Sequence, residues 1–442
     1  MSTLRVRRAM VVLASVTSTA SGCDRRSTRV AQRGAEAPLS LALALTLPHR
    51  PERCSYDVRA VMPSRVVLQG HAERLGGAPT PRSLHLSVVG SPSESMVVQW
   101  STDARTMASE VRYGSSPTRL DHRAIGYSFE YVGAPGRRQH EVHLCGLQPS
   151  STVYYDAGGE GARSAVYSFV TAPSDTRSVR VMVAGDSRTH PEIWGQIARR
   201  AAAMAPDAIF FSGDVTAAGE AQSQWDRFFE EGAALLARAP MFIADGNHDN
   251  PSQTYHAQFA LPSNGDGTHH ERWYRVDYGP IALMVLNDST VAPSIVREVE
   301  TPWLARELSA VDRARTPWLI TMHHQPMYST AVGHLPDELT RSLWEPLMDR
   351  AHVDVDLAGH VHNYESLFAL RAGQIVDETR GTVRLHFGGA GAPLYPFRER
   401  QAFSRTRESV HGWAMLEVSG RELRWTAYRL DGTEIEQLRW AH

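Results

Sequence analysis

Three short stretches decide the fold of this 442-residue chain: Val181-Met-Val-Ala-Gly-Asp186, Ala208-Ile-Phe-Phe-Ser-Gly-Asp214 and Met241-Phe-Ile-Ala-Asp-Gly-Asn-His-Asp249. Each begins with an apolar run of the length of a buried strand and ends in a polar turn. Two helical stretches separate them, Ile193–Met204 and Trp225–Leu236. Strand, polar loop and helix in repetition are typical of βαβ units, whose functional residues follow the carboxyl ends of the strands.

The same pattern continues towards the C-terminus. Further apolar runs that end in polar residues lie at Ile281–Leu286, Trp318–Met322 and Val353–Ala358. Trp413–Val418 and Leu423–Tyr428 indicate closing β-strands. We therefore expect an α/β (α+β) domain over residues 178–442.

A different pattern precedes this domain, in residues 81–174. Short runs alternate apolar and polar residues, with Gly, Pro and Ser between them: Leu84–Val89, Met96–Trp100, Ser109–Tyr113, Glu141–Leu144, Thr152–Tyr155 and Ala165–Val170. Such spacing predicts an antiparallel β-sandwich. Leu147–Tyr155 resembles the tyrosine-corner segment of fibronectin type III domains. The sandwich has no acid/base cluster, which favours a structural or docking role.

The N-terminus resembles a secretory signal over residues 1–22. Arg5, Arg7 and Arg8 precede a short stretch of apolar and small residues that ends at Cys23. The segment is too short to span a membrane. It predicts export, to the periplasm or the extracellular space, and Cys23 resembles a lipidation site that would attach the protein to a membrane; the alternative is a basic, disordered N-terminus.

Residues 23–80 are expected to form a linker, with one strand near Arg65–Gln69. Export would permit a disulfide between Cys54 and Cys145. Two unpaired thiols are the alternative, because sequence does not show whether their Cα atoms approach each other.

Composition excludes several functions. The 46 basic and 48 acidic residues nearly balance, so no nucleic-acid partner is indicated. Every fixed basic residue is Arg, and the chain has no Lys. A P-loop lysine, a Schiff-base lysine and the kinase lysine are therefore all excluded.

Polar residues that follow the predicted strands form one ordered set: Asp186, Asp214, Asn247 with His248, His323 with His324, and His360 with His362. If each group ends a strand, all can meet at one edge of the sheets. Carboxylates, an amide oxygen and imidazoles suit Zn, Mn or Fe. A carboxylate shared by two ions would hold them at the spacing that two-metal phosphoryl-transfer sites use.

This order of motifs resembles the calcineurin-like metallophosphoesterase superfamily, and the preceding sandwich makes the chain similar to purple acid phosphatases. The residues that carry the resemblance are Gly359–Glu365, His324–Ser329, Gly388–Gly391 and Gly412, within roughly 81–435. The resemblance implies a four-layer α/β/β/α catalytic domain, two metal ions (Fe, Zn or Mn) and a phosphate-ester substrate.

The resemblance also implies roles for individual residues. Asp214 would bridge the two metals. One metal would be held further by Asn247, His324 and His360, and the other by Asp186 and His362. His248 would protonate the leaving group, and His334 would bind substrate. Of the adjacent histidines, we expect His324 to be the ligand and His323 to lie behind it.

Two positions depart from the family pattern, and both concern the Asp186 metal. Ala217 replaces the tyrosine that binds ferric iron in purple acid phosphatases, so an iron-loaded form is expected to lack tyrosinate absorption. Arg188 stands where many other superfamily members have a histidine. His190 or water could complete this metal site, or the site could be largely empty. Arg188 itself could clamp a substrate phosphate or pair with a carboxylate.

The resemblance implies that a hydroxide bridging the metals attacks phosphorus. We expect an acid-phosphatase-like phosphomonoesterase. A phosphodiesterase on the same scaffold is the first alternative, and a non-catalytic surface protein with a degenerate metal site is the second.

Overall fold

The computed structural model describes residues 44–59, 66–250, 252–266 and 268–442. The predicted signal and the candidate lipidation site at Cys23 lie outside these residues. In the described part, no helix is both long and apolar enough to cross a membrane.

The N-terminal region is a β-sandwich of two antiparallel sheets. Its strands are β1 (Val67–Gln69), β2 (Arg82–Ser87), β3 (Ser95–Asp103), β4 (Glu110–Gly114), β5 (His122–Ile125), β6 (Tyr127–Phe129), β7 (Arg137–Cys145), β8 (Thr152–Gly159), β9 (Ala162–Arg163) and β10 (Tyr167–Val170). One sheet has the order β1-β6-β7-β3-β2, and the other β10-β8-β4-β5 with β9 beside β8. Alternate residues of β3, Met96, Val98 and Trp100, face the core between the sheets, as their period-2 pattern predicts.

Part of the segment predicted as a linker packs against this sandwich. Strand β1 pairs with β6, and Leu45 and Leu47 contact an apolar cluster that includes Tyr127. Cys54 and Cys145 form a disulfide with a Cα–Cα distance of 5.0 Å. This selects the paired alternative for the two cysteines.

Removing this disulfide is expected to destabilise the sandwich. The bond joins residues separated by 91 positions, and cross-links over long loops mainly restrict the unfolded chain. We expect Cys145→Ser to reduce the free energy of unfolding by about 2–4 kcal/mol, measured by urea unfolding without reductant. Cys54→Ser should give the same loss, and the wild-type protein with reductant should match both variants. An unchanged urea midpoint would contradict the prediction.

The C-terminal region contains two larger mixed sheets and two pairs of flanking helices. Its elements are β11 (Val179–Ala184), α1 (Pro191–Ala203), β12 (Ala208–Phe211), α2 (Gln222–Leu236), β13 (Met241–Ile243), α3 (Gln253–Gln258), β14 (Tyr274–Tyr278), β15 (Ile281–Val285), α4 (Pro293–Ile295), a π-helical turn (Val296–Glu300), α5 (Thr301–Ser309), β16 (Trp318–Met322), α6 (Glu338–Ala351), β17 (Val355–Ala358), β18 (Tyr364–Leu367), β19 (Leu370–Arg371), β20 (Gln374–Ile375), β21 (Val383–Phe387), β22 (Ser404–Glu408), β23 (Gly412–Ser419), β24 (Glu422–Arg429) and β25 (Glu434–Ala441).

The sheets have the orders β13-β12-β11-β23-β24-β25 and β14-β15-β16-β17-β21-β18-β22. Strands β11, β12 and β13 run parallel in the first, and β15, β16, β17 and β21 run parallel in the second. Strand β15 shows how the layers stack. Ile281, Leu283 and Val285 face the core shared by both sheets, whereas Ala282 and Met284 contact the cluster formed with α5 and α6. With α1 and α2 on the first sheet, this is the expected four-layer α/β/β/α arrangement.

The helices on the first sheet form because their apolar residues recur at helical spacing. In α1, Trp194, Ile197, Ala198 and Ala201 are buried, and Pro191 starts the helix. Trp194 stacks on Phe228 of α2 with ring centroids 5.0 Å apart. Helix α6 and strands β14 and β25 were not predicted from the sequence, although Tyr274–Tyr278 of β14 alternates apolar and polar residues.

The sandwich contacts the C-terminal region through specific polar pairs. The Tyr155 hydroxyl donates to the Ala237 carbonyl at 2.8 Å, directly after α2. Tyr155 therefore does not close a corner within its own sandwich in the way the fibronectin resemblance suggested. Arg137 pairs with Asp226 of α2, and Tyr131 donates to Gln222 at 2.6 Å. These contacts support a docking role for the sandwich.

Candidate metal centre

The polar groups predicted from sequence meet where the two parallel strand sets end. Asp186 follows β11, Asp214 follows β12 and Asn247 follows β13, all in the first sheet. His324 follows β16, and His360 and His362 follow β17, all in the second sheet. The ligand atoms of Asp186, Asp214 and His324 all lie within 4.8 Å of one another, and the three residues are buried.

The backbone is strained at three of these positions. Asp186, Asp214 and His360 have φ angles of 60°, 56° and 65°, in the left-handed region that non-glycine residues seldom adopt. Such conformations cost about 1–3 kcal/mol each and concentrate at functional sites. The strain here turns side chains from separate strands towards one point.

Two glycines make this close approach possible. Gly213 has a φ of 91°, and a Cβ there would lie 2.9 Å from the His324 ring and 2.8 Å from the Gly246 backbone. A Cβ on Gly246 would lie 2.1 Å from the Asp214 backbone nitrogen. The glycines that precede Asp214 and Asn247 are therefore required by packing between adjacent turns.

One group of donors surrounds His324 Nε2. Asn247 Oδ1 lies 3.0 Å from it, His360 Nδ1 3.2 Å and Asp214 Oδ1 3.4 Å. Ligand atoms about 2.0–2.2 Å from a tetrahedral ion would be spaced about 3.3–3.6 Å apart. Three donors thus surround His324 Nε2 at close to the spacing of ligands on one ion, and we term these four residues the His324 group.

Hydrogen bonds select which nitrogen of each imidazole faces the centre. His324 Nδ1 lies 2.7 Å from the Ser212 carbonyl, and His362 Nδ1 lies 2.7 Å from the Pro393 carbonyl. A carbonyl only accepts, so both Nδ1 atoms carry a proton, and Nε2 is the nitrogen of each ring that can offer a lone pair to a metal. Histidines that bind metals are held in this way by a second partner.

Electrostatics at the His324 group favour a cation. Burial by itself lowers the pKa of His324. The Asp214 carboxylate outweighs this effect, and the pKa is raised to about 10. The pKa of Asp214 stays well below its usual range despite burial, because His324 is adjacent. Positive charge is thus stabilised beside an ionised carboxylate, and an ion that bound there would displace the His324 proton.

The second set of donors comprises Asp186, Asp214 and His362, and we term it the Asp186 group. Asp186 Oδ1 lies 3.5 Å from His362 Nε2. The guanidinium of Arg188 lies among these donors. Its Nε donates to Asp214 Oδ2 at 3.2 Å, and its Nη2 lies 3.2 Å from His362 Nε2. Arg188 thus pairs with a carboxylate, and its 12% exposed side chain leaves little solvent around that pair.

Comparison with known proteins gives the family. Residues 179–364 match the calcineurin-like phosphoesterase model, and residues 81–171 match the purple acid phosphatase N-terminal domain. Purple acid phosphatase 21 of Arabidopsis thaliana is 32% identical over 64% of this chain and 66% of its own length. Purple acid phosphatase 22 of the same plant is 27% identical over 83% and 86%. The chain belongs to the calcineurin-like phosphoesterases.

A solved structure agrees on the fold of this phosphoesterase. A purple acid phosphatase from yellow lupin (Lupinus luteus) seeds superposes with a TM-score of 0.71 at 20% identity, covering 82% of this chain and 74% of the lupin chain. Family membership makes the chain an enzyme that hydrolyses phosphate esters, and the purple acid phosphatase family implies a dinuclear metal centre. The His324 group fits one ion of that pair, whereas the Asp186 group, with Arg188 inside it, does not fit the other.

The remaining predicted residues of this phosphoesterase border the centre. His248 is half-buried; its backbone N–H donates to Asp214 Oδ1 at 2.9 Å, and its Nδ1 lies 3.1 Å from the Ala217 carbonyl. His334 is also half-buried, with its ring 3.9 Å from that of His360. Burial and the nearby His362 lower the pKa of His334, which favours a neutral ring.

Two histidines considered in the sequence lie outside both groups. His323 is buried between Asp288 at 2.8 Å and Asp356 at 3.1 Å. Burial lowers its pKa, but the carboxylates raise the pKa to about 10 overall, so it is a charged residue behind the site. The side chain of His190 is 44% exposed, with its Nδ1 3.3 Å from Glu192. His190 therefore does not supply the missing nitrogen of the Asp186 group in this structure.

Two further residues, which were not predicted from the sequence, shape the centre. Asp249 Oδ2 accepts from the backbone nitrogens of Asp214 at 2.7 Å and Gly246 at 3.2 Å, which holds the strained turn. Its place in the Gly-Asn-His-Asp run was the available signal. Tyr395 stacks on His362 with centroids 4.1 Å apart, and its hydroxyl lies 3.2 Å from His334 Nε2. No local pattern marked Tyr395.

Proposed function

We propose that this phosphoesterase is an exported, metal-dependent phosphomonoesterase. The observation that carries the proposal is the His324 group, in which donors from two sheets lie 3.0–3.4 Å from His324 Nε2. An ion held there supplies positive charge to the phosphoryl oxygens and lowers the pKa of a nearby water. The disulfide between Cys54 and Cys145 supports export, since such bonds persist in oxidising compartments. Lipidation of Cys23 stays part of the proposal.

Arg188 and His334 are proposed to receive the phosphate group. Arg188 contributes a permanent positive charge near Asp214, and its guanidinium can donate to phosphate oxygens. His334 lies above His360, on a loop that also carries the 73% exposed Leu335. A neutral His334 can donate one hydrogen bond to an esterified phosphate.

His248 is proposed to protonate the departing oxygen. The contact of its Nδ1 with the Ala217 carbonyl leaves Nε2 free for the substrate. Its backbone N–H donates to Asp214, which places the ring next to the metal centre. A positioned histidine that protonates a leaving group typically contributes a factor of about 10²–10⁴ in rate.

The proposal is tested with p-nitrophenyl phosphate and bis(p-nitrophenyl) phosphate. The protein is first stripped with chelator and then reloaded with Mn²⁺, Zn²⁺ or Fe. We expect turnover that requires added metal, with kcat/KM for the monoester about tenfold or more above that for the diester. The reason is that the bound ion and Arg188 together carry more positive charge than the single negative charge of a diester can balance. His190→Ala is the matched control and should retain full activity.

Other outcomes would replace this function. A faster diester reaction would make the protein a phosphodiesterase. Absence of turnover with every metal, in protein that still binds an ion, would favour the non-catalytic surface protein.

A further inference from the structure

Arg188 competes directly with a metal ion for two donor atoms of the Asp186 group. Its Nε lies 3.2 Å from Asp214 Oδ2, and its Nη2 lies 3.2 Å from His362 Nε2. A metal would need the lone pairs of these same two atoms, at about 2.0–2.2 Å. His362 Nε2 has a single lone pair, so an N–H from Arg188 makes it unavailable to an ion, and one of the two lone pairs of Asp214 Oδ2 is occupied as well.

The charge of Arg188 opposes a second ion as well. A guanidinium does not deprotonate in proteins, so Arg188 carries its positive charge at every working pH. Its side chain is only 12% exposed, and the partner carboxylate is 1% exposed. Repulsion between a divalent ion and a guanidinium at this distance is weakly screened in such surroundings.

The two departures from the family pattern affect the same place. Arg188 stands where many other superfamily members have a histidine ligand of the Asp186 metal, and Ala217 stands where purple acid phosphatases have a tyrosine ligand of it. Arg188 and Ala217 also line one cavity of about 390 Å³, together with Trp194 and Phe228. The Arg188 backbone N–H donates to the Asp214 carbonyl at 3.3 Å, which holds the residue on this side of Asp214. The chain thus lacks the ligand of either pattern, and a fixed cation lies in that place.

We propose that Arg188 takes the place of the second ion, so that the centre holds a single metal in the His324 group. The guanidinium then supplies the positive charge that the other ion supplies in a dinuclear centre. Asp186 Oδ1 is buried and has no hydrogen-bond partner among the described residues. Asp186 Oδ2 and Asp214 Oδ1 accept the backbone N–H groups of His360 and His248, so a second ion would have to bind at Asp186 Oδ1.

The test measures metal content rather than activity. Chelator-treated protein is loaded with excess Mn²⁺, desalted, and analysed by elemental mass spectrometry and electron paramagnetic resonance. Wild-type protein is expected to retain about one Mn²⁺ per chain and to show the six-line spectrum of an isolated ion. Arg188→His restores the residue that many superfamily members carry, and is expected to retain about two ions with an exchange-coupled spectrum.

Arg227→His is the matched control. Arg227 lines the same cavity, but pairs with Glu230 and Glu231 at the surface, so this variant should retain about one ion. Two coupled ions in the wild-type protein would overturn the proposal without any variant. A folded Arg188→His protein that still binds one ion would overturn the role given to Arg188.

These readouts separate the proposal from the phosphomonoesterase function on which it rests. A protein with one ion and no turnover supports the single-metal centre and contradicts the function. A protein with two ions and turnover supports the function and contradicts the single-metal centre.

Discussion

Asp214→Asn is expected to lower kcat/KM for a phosphate monoester by about 10³-fold or more, which corresponds to about 4 kcal/mol of transition-state stabilisation. Asp214 is 1% exposed, and its two oxygens face different partners. Oδ1 lies near His324 and accepts from the His248 backbone, and Oδ2 accepts from Arg188. An amide would remove the negative charge that attracts the ion and would leave Arg188 without its carboxylate.

The same variant should lose most of its bound metal. We expect elemental analysis to show well under one ion per chain after desalting, while circular dichroism shows a folded protein. Asp277→Asn is the matched control, because Asp277 pairs with Arg275 near the surface and is remote from the centre. Activity and metal content that both survive in Asp214→Asn would refute the assignment of this carboxylate as a ligand.

His248→Ala is expected to reduce the rate by about 10²–10⁴-fold for esters with poor leaving groups. The loss should be small for p-nitrophenyl phosphate, whose leaving group departs without a proton. The geometry supports this difference, because His248 is half-buried beside Asp214 and yet belongs to neither donor group. The measurement is kcat for a series of aryl and alkyl phosphates plotted against the pKa of the leaving group.

Metal content distinguishes this role from a ligand role. His248→Ala should retain the wild-type amount of Mn²⁺, and His190→Ala should retain both metal and rate. A uniform rate loss across good and poor leaving groups would show that His248 does not act as the proton donor.

The donor residues and most strands were predictable because their signals are local. Apolar runs that end in Gly-Asp or Gly-Asn mark buried strands followed by tight turns, and Gly213 and Gly246 are required there by contacts between adjacent turns. Boundaries agreed closely for α1 and α2, since Trp194 and Trp225 begin clear helical periods. The helix α6 was missed, because Pro346 interrupts a pattern that is already mixed.

Residue types and their order along the chain were enough to establish the two-region architecture and the set of candidate ligands. Contacts between distant segments were decided by the tertiary structure alone. Arg188 and His362 are separated by 174 positions, and Tyr155 and Ala237 by 82. Whether Arg188 reaches into the Asp186 group depends on how the ends of two sheets pack against each other, and periodicity within one segment carries no information about that packing.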